Sequence, residues 1–556
     1  MKTVLNIAFI FKSVVLSFFL VLISNSCSNQ HKKINNEEKA NPNIILIMAD
    51  DMGFSDLGFM GSGIETPNLD KLASNGITYS QFYNTSRCCP TRASLMTGLY
   101  QHQTGMGWMT AANLGTEGYT GDLNENCVTI AEMLKQSNYS CYMTGKWHIT
   151  ADNYMHPDSS KHNWPIQRGF DKYYGHLSGG GGYFKPKNLI HNNHWLDIPD
   201  DFYLTTAISD STVSFLRQHF ESKNEKPLFT YVAYYAPHRP LHALQKDVAK
   251  YRGKFMKGWD ELREEKLQKL YEVGIADSTW QLSERGQGVK AWNELSHEEK
   301  QIWDARMAVY AAQIDCMDQG IGQIIDVLKE YDQLNNTLIV FLSDNGGCDE
   351  DQEANNKTTL TLSNIDSLGN QFPMASYQKP WANLSNVPFK MYKQYVHEGG
   401  ISTPLIAHWP NKIKLKGKVI KQVGHVIDLM PTFLEIAGID YPSRFNGNNL
   451  KPLAGTSLLS NFTGDTFERG AIFFEHNGNT AVRNGDWKLV AKKNYTEPAS
   501  KGKWELYNLS LDRSEIINLA EKYPEKVKEL EQLWNKWAEE NSVFPLDFRY
   551  WNEKTK

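Results

Sequence analysis

Two adjacent acids, Asp50-Asp51, follow directly on the apolar run Asn43–Ala49, and Asp344-Asn345 follows on Thr337–Leu342 within Ser343-Asp-Asn-Gly-Gly347. Three carboxylates and one amide oxygen make a hard donor set, suited to calcium or magnesium and not to zinc. Cationic and titratable residues stand in separate short motifs. Arg92 closes Cys88-Cys-Pro-Thr-Arg92, Lys146 and His148 lie in Thr144-Gly-Lys-Trp-His148, His238 ends Ala236-Pro-His238, and Lys393 precedes His397-Glu-Gly-Gly-Ile401. Arg92 comes one turn after Cys88, so both project from the start of one helix, whose N-terminus itself favours an anion. Lys146 and His148, two apart on an extended segment, are expected to point to the same side. Several positive donors of this kind bind an anionic group and spread its transition-state charge. Taken singly, each motif also has a structural reading: Cys88 as a buried thiol, Asp50-Asp51 as a helix cap, Asp344-Asn-Gly as a turn. Both acid sets end buried strands, which favours the joint reading.

The segment Cys88-Cys-Pro-Thr-Arg-Ala-Ser-Leu-Met-Thr-Gly98 resembles the signature of the type I sulfatases, in which Cys-x-Pro-x-Arg opens a short helix ending near Thr-Gly. The other motifs follow in the order of that family. The resemblance runs from about Asn43 to the C-terminal helix, and Tyr251-Arg-Gly-Lys254 with the helix after it looks most like the soluble bacterial arylsulfatases. In the family the first Cys is oxidised to formylglycine, and the position of Pro90 selects Cys88 over Cys89. A hydrated aldehyde is a geminal diol: one hydroxyl attacks sulfur to give a covalent sulfate ester, and the other loses its proton and expels sulfate as the aldehyde re-forms. A plain Ser or Cys ester would need water to attack sulfur, so the aldehyde adds a release route to covalent catalysis.

The resemblance further implies one Ca2+ held by Asp50, Asp51, Asp344, Asn345 and the modified Cys88. The cation would lower the pKa of the diol and hold a sulfate oxygen. It implies that Arg92 and Lys146 hold the diol and the sulfate, that His148 takes the second hydroxyl proton, and that Asp344 assists deprotonation of the attacking hydroxyl. His238 and Lys393 would bind sulfate and aid the leaving alcohol. The family often carries Gly-Gly-x-Arg-x-Pro after this lysine, whereas Ser402 stands at the Arg position in Gly399-Gly-Ile-Ser-Thr-Pro404.

These residues need a frame. Asn43–Ala49, Leu228–Tyr234 and Thr337–Leu342 are continuous apolar runs, the pattern of fully buried parallel strands, and each runs into polar groups at its carboxyl end, where open α/β sheets bind ligands. Between Arg306 and Glu330, Ile314, Met317, Ile321, Ile324 and Leu328 form one helical face. Alternating strands and helices predict an α/β domain. The resemblance sharpens this to an alkaline-phosphatase-like/sulfatase fold, a large mixed, mostly parallel sheet flanked by helices. Residues 246–300 are expected to be a helical insertion, 349–383 a long polar surface loop, and Gly179–Gly182 either a pocket loop or a surface turn. Short strands at 471–475, 481–483, 487–491 and 504–507, with Asn477-Gly478 and Asn484-Gly485 as turns, precede a helix with Val527, Leu530, Trp534 and Trp537 on one face. The expected domains are a catalytic domain at 43–465 and a small α+β domain with an antiparallel sheet at 466–556.

The chain has 556 residues with a net charge of −5, which gives no reason to expect a nucleic-acid partner. The 15 Trp and 26 Tyr fit a carbohydrate binder and equally a large aromatic core. Lys2 and Lys12, the apolar run Ser13–Ile23 and Cys27 after Ser24-Asn-Ser26 resemble a bacterial lipoprotein signal at 1–27. A polar tether follows at 28–42. A plain secretory signal and an uncleaved anchor are the other readings, and all three take the chain out of the cytoplasm. The expected location is periplasmic or outer-membrane-anchored, with membrane contact only through the N-terminal lipid. No Cys-x-x-Cys occurs, and Cys127 with Cys141 is a possible bridge. The expected partners are a sulfated carbohydrate or other sulfate ester and the formylglycine-generating enzyme. The alternatives are a phosphonate or phosphodiester hydrolase of the same superfamily and a lipoprotein that binds sulfated glycans without cutting them.

Overall fold

Asn43–Ala49 forms β1, and every residue of it is buried. Its side chains alternate between two cores: Ile45, Ile47 and Ala49 pack into one, Ile44, Leu46 and Met48 into the other. A strand that feeds apolar groups to both faces must lie inside a sheet covered on both sides. The structure, a computed structural model, describes residues 41–222, 225–353, 359–493 and 501–545. All that follows concerns the compact unit that begins at Pro42. The expected signal 1–27 and its tether up to residue 40 lie outside the described residues.

The next strands are β2 Ile77–Tyr83, β3 Ser140–Lys146, β4 Lys172–His176, β5 Leu189–His191, β6 His194–Trp195, β7 Leu228–Ala233, β8 Thr337–Ser343, β9 Ser402–His408, β10 Lys418–Ile420 and β11 Gly424–His425. Among the described residues they make an 11-stranded sheet in the order β10-β2-β9-β8-β1-β7-β3-β4-β5-β6, with β11 beside β2. β1 runs parallel to β7 and β8, and β3 runs parallel to β7 and β4. β9 is antiparallel to both neighbours. The carboxyl ends of β8, β1, β7 and β3 therefore open on one edge.

The helices that matter to the site are α1 Pro67–Asn75, α2 Cys88–Thr97, α3 Leu204–Glu221, α4 Gly258–Glu272, α5 His297–Glu330, α6 Gln378–Ser385, α7 Leu429–Ala437 and α8 Pro524–Glu540. Side chains of α1, α3 and α5 fill the core on one face of the sheet, those of α2 and α7 the core on the other. α5 begins earlier than its apolar face suggests, at a capping box in which Ser296 Oγ accepts from Glu299 N and Glu299 Oε2 accepts from Ser296 N. Its predicted face, Ile314 to Leu328, is wholly buried.

Three expectations need correction. The charged insertion is helical mainly over α4, and residues 273–296 are largely irregular turns anchored by buried Trp280 and Trp292. The described residues of the segment 349–383 are only in part a surface loop. Ile365, Leu368, Tyr377 and Trp381 are buried and anchor it while Leu362 and Phe372 stay exposed, and it enters α6 at Gln378. Composition hid this because few large anchors suffice to hold a polar segment down. Cys127 and Cys141 are free and buried, their thiols donating to the carbonyls of Asn124 and Ala131.

After the small hairpin β12 Arg444–Phe445 and β13 Asn448–Asn449, the strands β14 Ile472–His476, β15 Asn479–Asn484, β16 Trp487–Lys493 and β17 Lys501–Asn508 form an antiparallel meander. One face packs on Leu530, Trp534 and Trp537 of α8. The other packs on Tyr83 at the end of β2 and on Val396 and Ile401 before β9.

Candidate active site

β1 ends at Ala49, and Asp50 and Asp51 follow with their backbones tied to the neighbouring strand ends. Asp50 N donates to Ala236 O and Asp344 N donates to Ala49 O. The parallel register thus brings the acid pair after β1 against the Asp344-Asn345 pair after β8. Asp51 N donates to Asp344 Oδ1 at 3.2 Å, and Asn345 Nδ2 donates to Asp51 Oδ1 at 2.6 Å. Asp51 holds φ 66°, a conformation that non-glycine residues rarely adopt outside constrained sites.

Cations close around these acids. Lys146 Nζ lies 2.5 Å from Asp50 Oδ2 and Lys393 Nζ 2.5 Å from Asp51 Oδ1. Arg92, fully buried, donates from Nη2 to Asp344 Oδ2 at 2.7 Å and from Nη1 to the Lys146 carbonyl at 3.0 Å. Burial and the Asp344 charge still push the Asp50 carboxyl well above the ordinary carboxylate range, against the pull of Lys146 and Arg92. Burial pulls Lys393 down, but Asp51, Cys88 and Cys348 hold it above the ordinary lysine range.

The donor set has a gap of a definite kind. Asp50 Oδ1, Asp51 Oδ2 and Asn345 Oδ1 are buried acceptors without a hydrogen-bond partner. His238 Nδ1 faces the Arg239 carbonyl at 2.5 Å and must donate to it, so in the neutral ring Nε2 is another acceptor, 3.5 Å from Asp51 Oδ2. Burial, with Lys393, Lys146 and Arg239 beside it, holds His238 far below the ordinary imidazole value and so neutral. One ligand atom from each of Asp50, Asp51 and His238 lies within 4.8 Å of the other two. Acceptors that converge without a donor are costly unless a cation sits among them. An oxygen-rich set fits a hard divalent ion.

Cys88 is the first residue of α2 and only 2% exposed. The thiol of Cys89 and the charges of Lys146 and Lys393 draw it well below the ordinary thiol range, against burial. Cys89 is different. Burial raises its thiol, which donates to the Trp108 carbonyl. His148 does not lie on an extended segment: its φ is 54°, and its backbone N–H donates to Leu177 O. Burial lowers its pKa against the upward pull of Cys88, with Lys146 adding to the lowering, which leaves a neutral imidazole beside Cys88. Gly179 makes room for it, because a Cβ there would sit 2.0 Å from His148 Nε2. Gly179–Gly182 is therefore a wall of the site and not a surface turn.

Cys88, His148, His238 and Lys393 line a cavity of about 790 Å³. Arg92, Lys146, Asp50, Asp51, Asp344 and Asn345 are buried and lie beneath its floor. The sequence reading missed Arg87 and Arg239, which also line the cavity and share Glu350. Arg87, Lys393 and Arg239 hold the Glu350 carboxyl down to about 2, against burial. Arg87 stands next to Cys88 and Arg239 next to His238, but neither position carries a spacing signal.

Ser402, at the position where the family often carries Arg, meets an arginine from far along the chain. Arg513, fully buried, donates from Nη2 to Ser402 Oγ at 3.2 Å and from Nε to Glu398 Oε2 at 2.9 Å. Its guanidinium lies 4.6 Å from the Trp280 ring of the insertion. Lys488 Nζ completes the neutralisation of Glu398 at 2.8 Å. Glu398 opens the turn whose Gly400 carbonyl accepts from Gly346 N, beside Asn345. Arg513→Met is expected to cost about 3–5 kcal/mol at pH 7 by leaving part of a buried charge unpaired. Glu398 is held at about 2 in the folded chain, against 4.5 ordinarily. That pairing therefore stabilises the fold above pH 4.5 and is lost as the pH falls toward 2. The gap between variant and wild type, read by urea denaturation, should narrow below pH 4.5. A gap independent of pH would break the link to Glu398.

The chain matches the sulfatase family model over residues 42–439 and the model described as N-sulphoglucosamine sulphohydrolase, C-terminal over residues 389–541. It is 32% identical to an uncharacterized sulfatase of Schizosaccharomyces pombe over 549 residues, 92% of this chain and 96% of that one. It is 32% identical to an arylsulfatase of Klebsiella aerogenes over 439 residues, 76% of this chain and 92% of that one. The crystal structure of Ps i-CgsB in complex with k-i-k-neocarrahexaose is similar at a TM-score of 0.64 and 27% identity, covering 90% of this chain and 93% of that one. With the fold, the acid-lined strand ends and the cationic cavity, these likenesses place the chain in the sulfatase family, the hydrolases of sulfate esters.

Proposed function

We propose that this sulfatase works with calcium and with a formylglycine made from Cys88, and that its substrates are sulfated carbohydrates. One observation carries the reading: Cys88 opens a buried helix at the floor of a cationic cavity, next to acceptor oxygens of Asp50, Asp51 and Asn345 that lack partners. Oxidised to formylglycine, side chain 88 would supply a hydroxyl pair, one to attack sulfur and one to release the sulfate. A calcium ion held by Asp50, Asp51, Asp344, Asn345 and side chain 88 would polarise a sulfate oxygen and favour the ionised hydroxyl.

The remaining work falls to the chain. Neutral His148 is placed to accept a proton at side chain 88. Lys393 and His238 face the cavity and are placed to hold the sulfate group and the oxygen that leaves. Arg92 and Lys146 orient the acids from below and add fixed positive charge that is already organised before the substrate arrives.

The carbohydrate reading is supported by the relative solved with k-i-k-neocarrahexaose and by the match to the N-sulphoglucosamine sulphohydrolase model. We also propose export as a lipoprotein through Cys27, after maturation by a formylglycine-generating enzyme. Among the described residues no helix is long and apolar enough to cross a membrane. The division into 43–465 and 466–556 is supported by the change from a mixed to an antiparallel sheet.

The phosphoryl alternative is tested with the sulfate and phosphate monoesters of 4-nitrophenol and a phosphodiester of the same phenol. The sulfate should turn over at least about 100-fold faster in kcat/KM, about 2.7 kcal/mol of transition-state preference. Faster turnover of either phosphate ester would transfer the protein to the phosphoryl branch.

A further inference from the structure

The cavity over Cys88 holds far more than a sulfate group. Its volume of about 790 Å³ lies toward the upper end of sites that enclose whole organic ligands. Two of its walls rise away from the reacting residues. One continues the glycine loop to Lys185 and Lys187, and the other is the segment that carries Gln371 and Phe372. Phe372 is 69% exposed, more than any other large hydrophobic side chain of the described residues. Among those residues, no ion pair engages Lys185 or Lys187, both exposed.

The exposure of Phe372 does not come from a loose segment. His242 is buried between the two walls. Tyr183 N, at the end of the glycine loop, donates to His242 Nδ1 at 3.4 Å, which leaves Nε2–H to donate to Gln371 O at 3.1 Å. On either side of His242, Leu241 N donates to Ala375 O and Ala243 N to Gly369 O. A single imidazole and a short backbone ladder thus hold the aromatic wall and the lysine wall in fixed positions on one cavity. Burial keeps the imidazole neutral, its pKa lowered to about 4.

An exposed ring held rigid beside a reactive pocket suits the apolar face of a sugar, and unpaired lysines suit a sulfate or carboxylate on that sugar. Arg87 and Arg239 do not compete for that role, because Glu350 holds both. We propose that Phe372, Lys185 and Lys187 form an outer subsite. It binds a second, anionic sugar unit next to the unit whose ester lies over Cys88. The substrate class is then an oligosaccharide with more than one anionic group, and not a lone sulfated monosaccharide or aryl sulfate. This inference rests on the carbohydrate reading above.

The test uses the matured full chain and its variants F372A and K185A/K187A. Their substrates are sulfated tetrasaccharides prepared from heparin, chondroitin sulfate and carrageenan, with 4-nitrophenyl sulfate as reference. On the best tetrasaccharide each variant should raise KM about fivefold or more, with kcat within about twofold. The lysine effect should shrink at high salt, as expected for exposed charges. Hydrolysis of 4-nitrophenyl sulfate and the melting temperature should stay unchanged. If the wild type desulfates a tetrasaccharide and the variants match it, the outer subsite is wrong and the carbohydrate reading stands. If the wild type desulfates no tetrasaccharide but cleaves the aryl ester, both fall. An equal loss on both substrates would mark the variants as structural and also overturn the subsite.

Discussion

Cys88→Ser is expected to lower kcat on 4-nitrophenyl sulfate by about 10⁴-fold or more while leaving the melting temperature within a few degrees. The magnitude follows from what a serine there lacks. Its hydroxyl stands at the same helix start, beside neutral His148 and in the cavity that Lys393 also lines. If it took the sulfate, it would have no second hydroxyl with which to expel it. The loss is therefore one of turnover, and mass spectrometry of the peptide should find the residue either free or stalled as a sulfate ester. Cys89→Ser is the control. That thiol donates to the Trp108 carbonyl in the core and carries a raised pKa, so the variant should keep most activity and full conversion of Cys88. Substantial turnover by the Cys88 variant, or an inactive Cys89 variant whose Cys88 is converted, would overturn the assignment.

Removal of the divalent cation should have the second largest effect. Dialysis against EGTA is expected to reduce activity by about 10²-fold or more and to lower the melting temperature, and Ca2+ should restore both. Three buried oxygens without partners cost about 1–3 kcal/mol each when left bare, and carboxylate oxygens cost more. Lys146, Lys393 and Arg92 neutralise the outer edges of Asp50, Asp51 and Asp344, which lets the fold survive without the ion. They do not reach Asp50 Oδ1, Asp51 Oδ2 or Asn345 Oδ1. Asp51→Ala should therefore abolish rescue by Ca2+ as well as activity. It should also free Lys393, whose raised pKa depends on Asp51. Full activity in protein shown by elemental analysis to be metal-free would refute the cation site.

The two effects share a cause. β1 and β8 are parallel neighbours in register from Asn43↔Thr337 to Ala49↔Ser343, so the residues that follow them must meet. β7 and β3 extend the same edge and deliver His238, Lys146 and His148. Helix α2 presents Cys88 to that edge from the other core. Two residues of the site hold left-handed backbones, Asp51 and His148, which places backbone strain at the site itself.

Much of this was legible in the chain itself, because its signals are short-range. Apolar runs that end in acids mark buried strands and their carboxyl ends. The spacing of Cys88 and Arg92 places both on one helical turn. Asn-Gly turns with alternating residues mark the C-terminal meander. Each of these depends on a few consecutive residues, whose conformation local sterics and burial largely dictate.

What only the tertiary structure decided depends on residues far apart in the chain. It fixed which cation neutralises which acid, so that Arg92 and Lys146 lie under the floor while Lys393 and His238 reach the cavity. It brought Arg513 to Ser402, a partner more than a hundred residues away that no local pattern announces. It paired Arg87 and Arg239 on Glu350, anchored the polar stretch 359–383 on buried Ile365, Leu368, Tyr377 and Trp381, and set His242 between the two walls of the cavity. A charge or a hydrogen-bond donor names its possible partners only by chemistry. Selection among them requires burial, which removes water as the competitor and makes the one neighbour at 3 Å decisive.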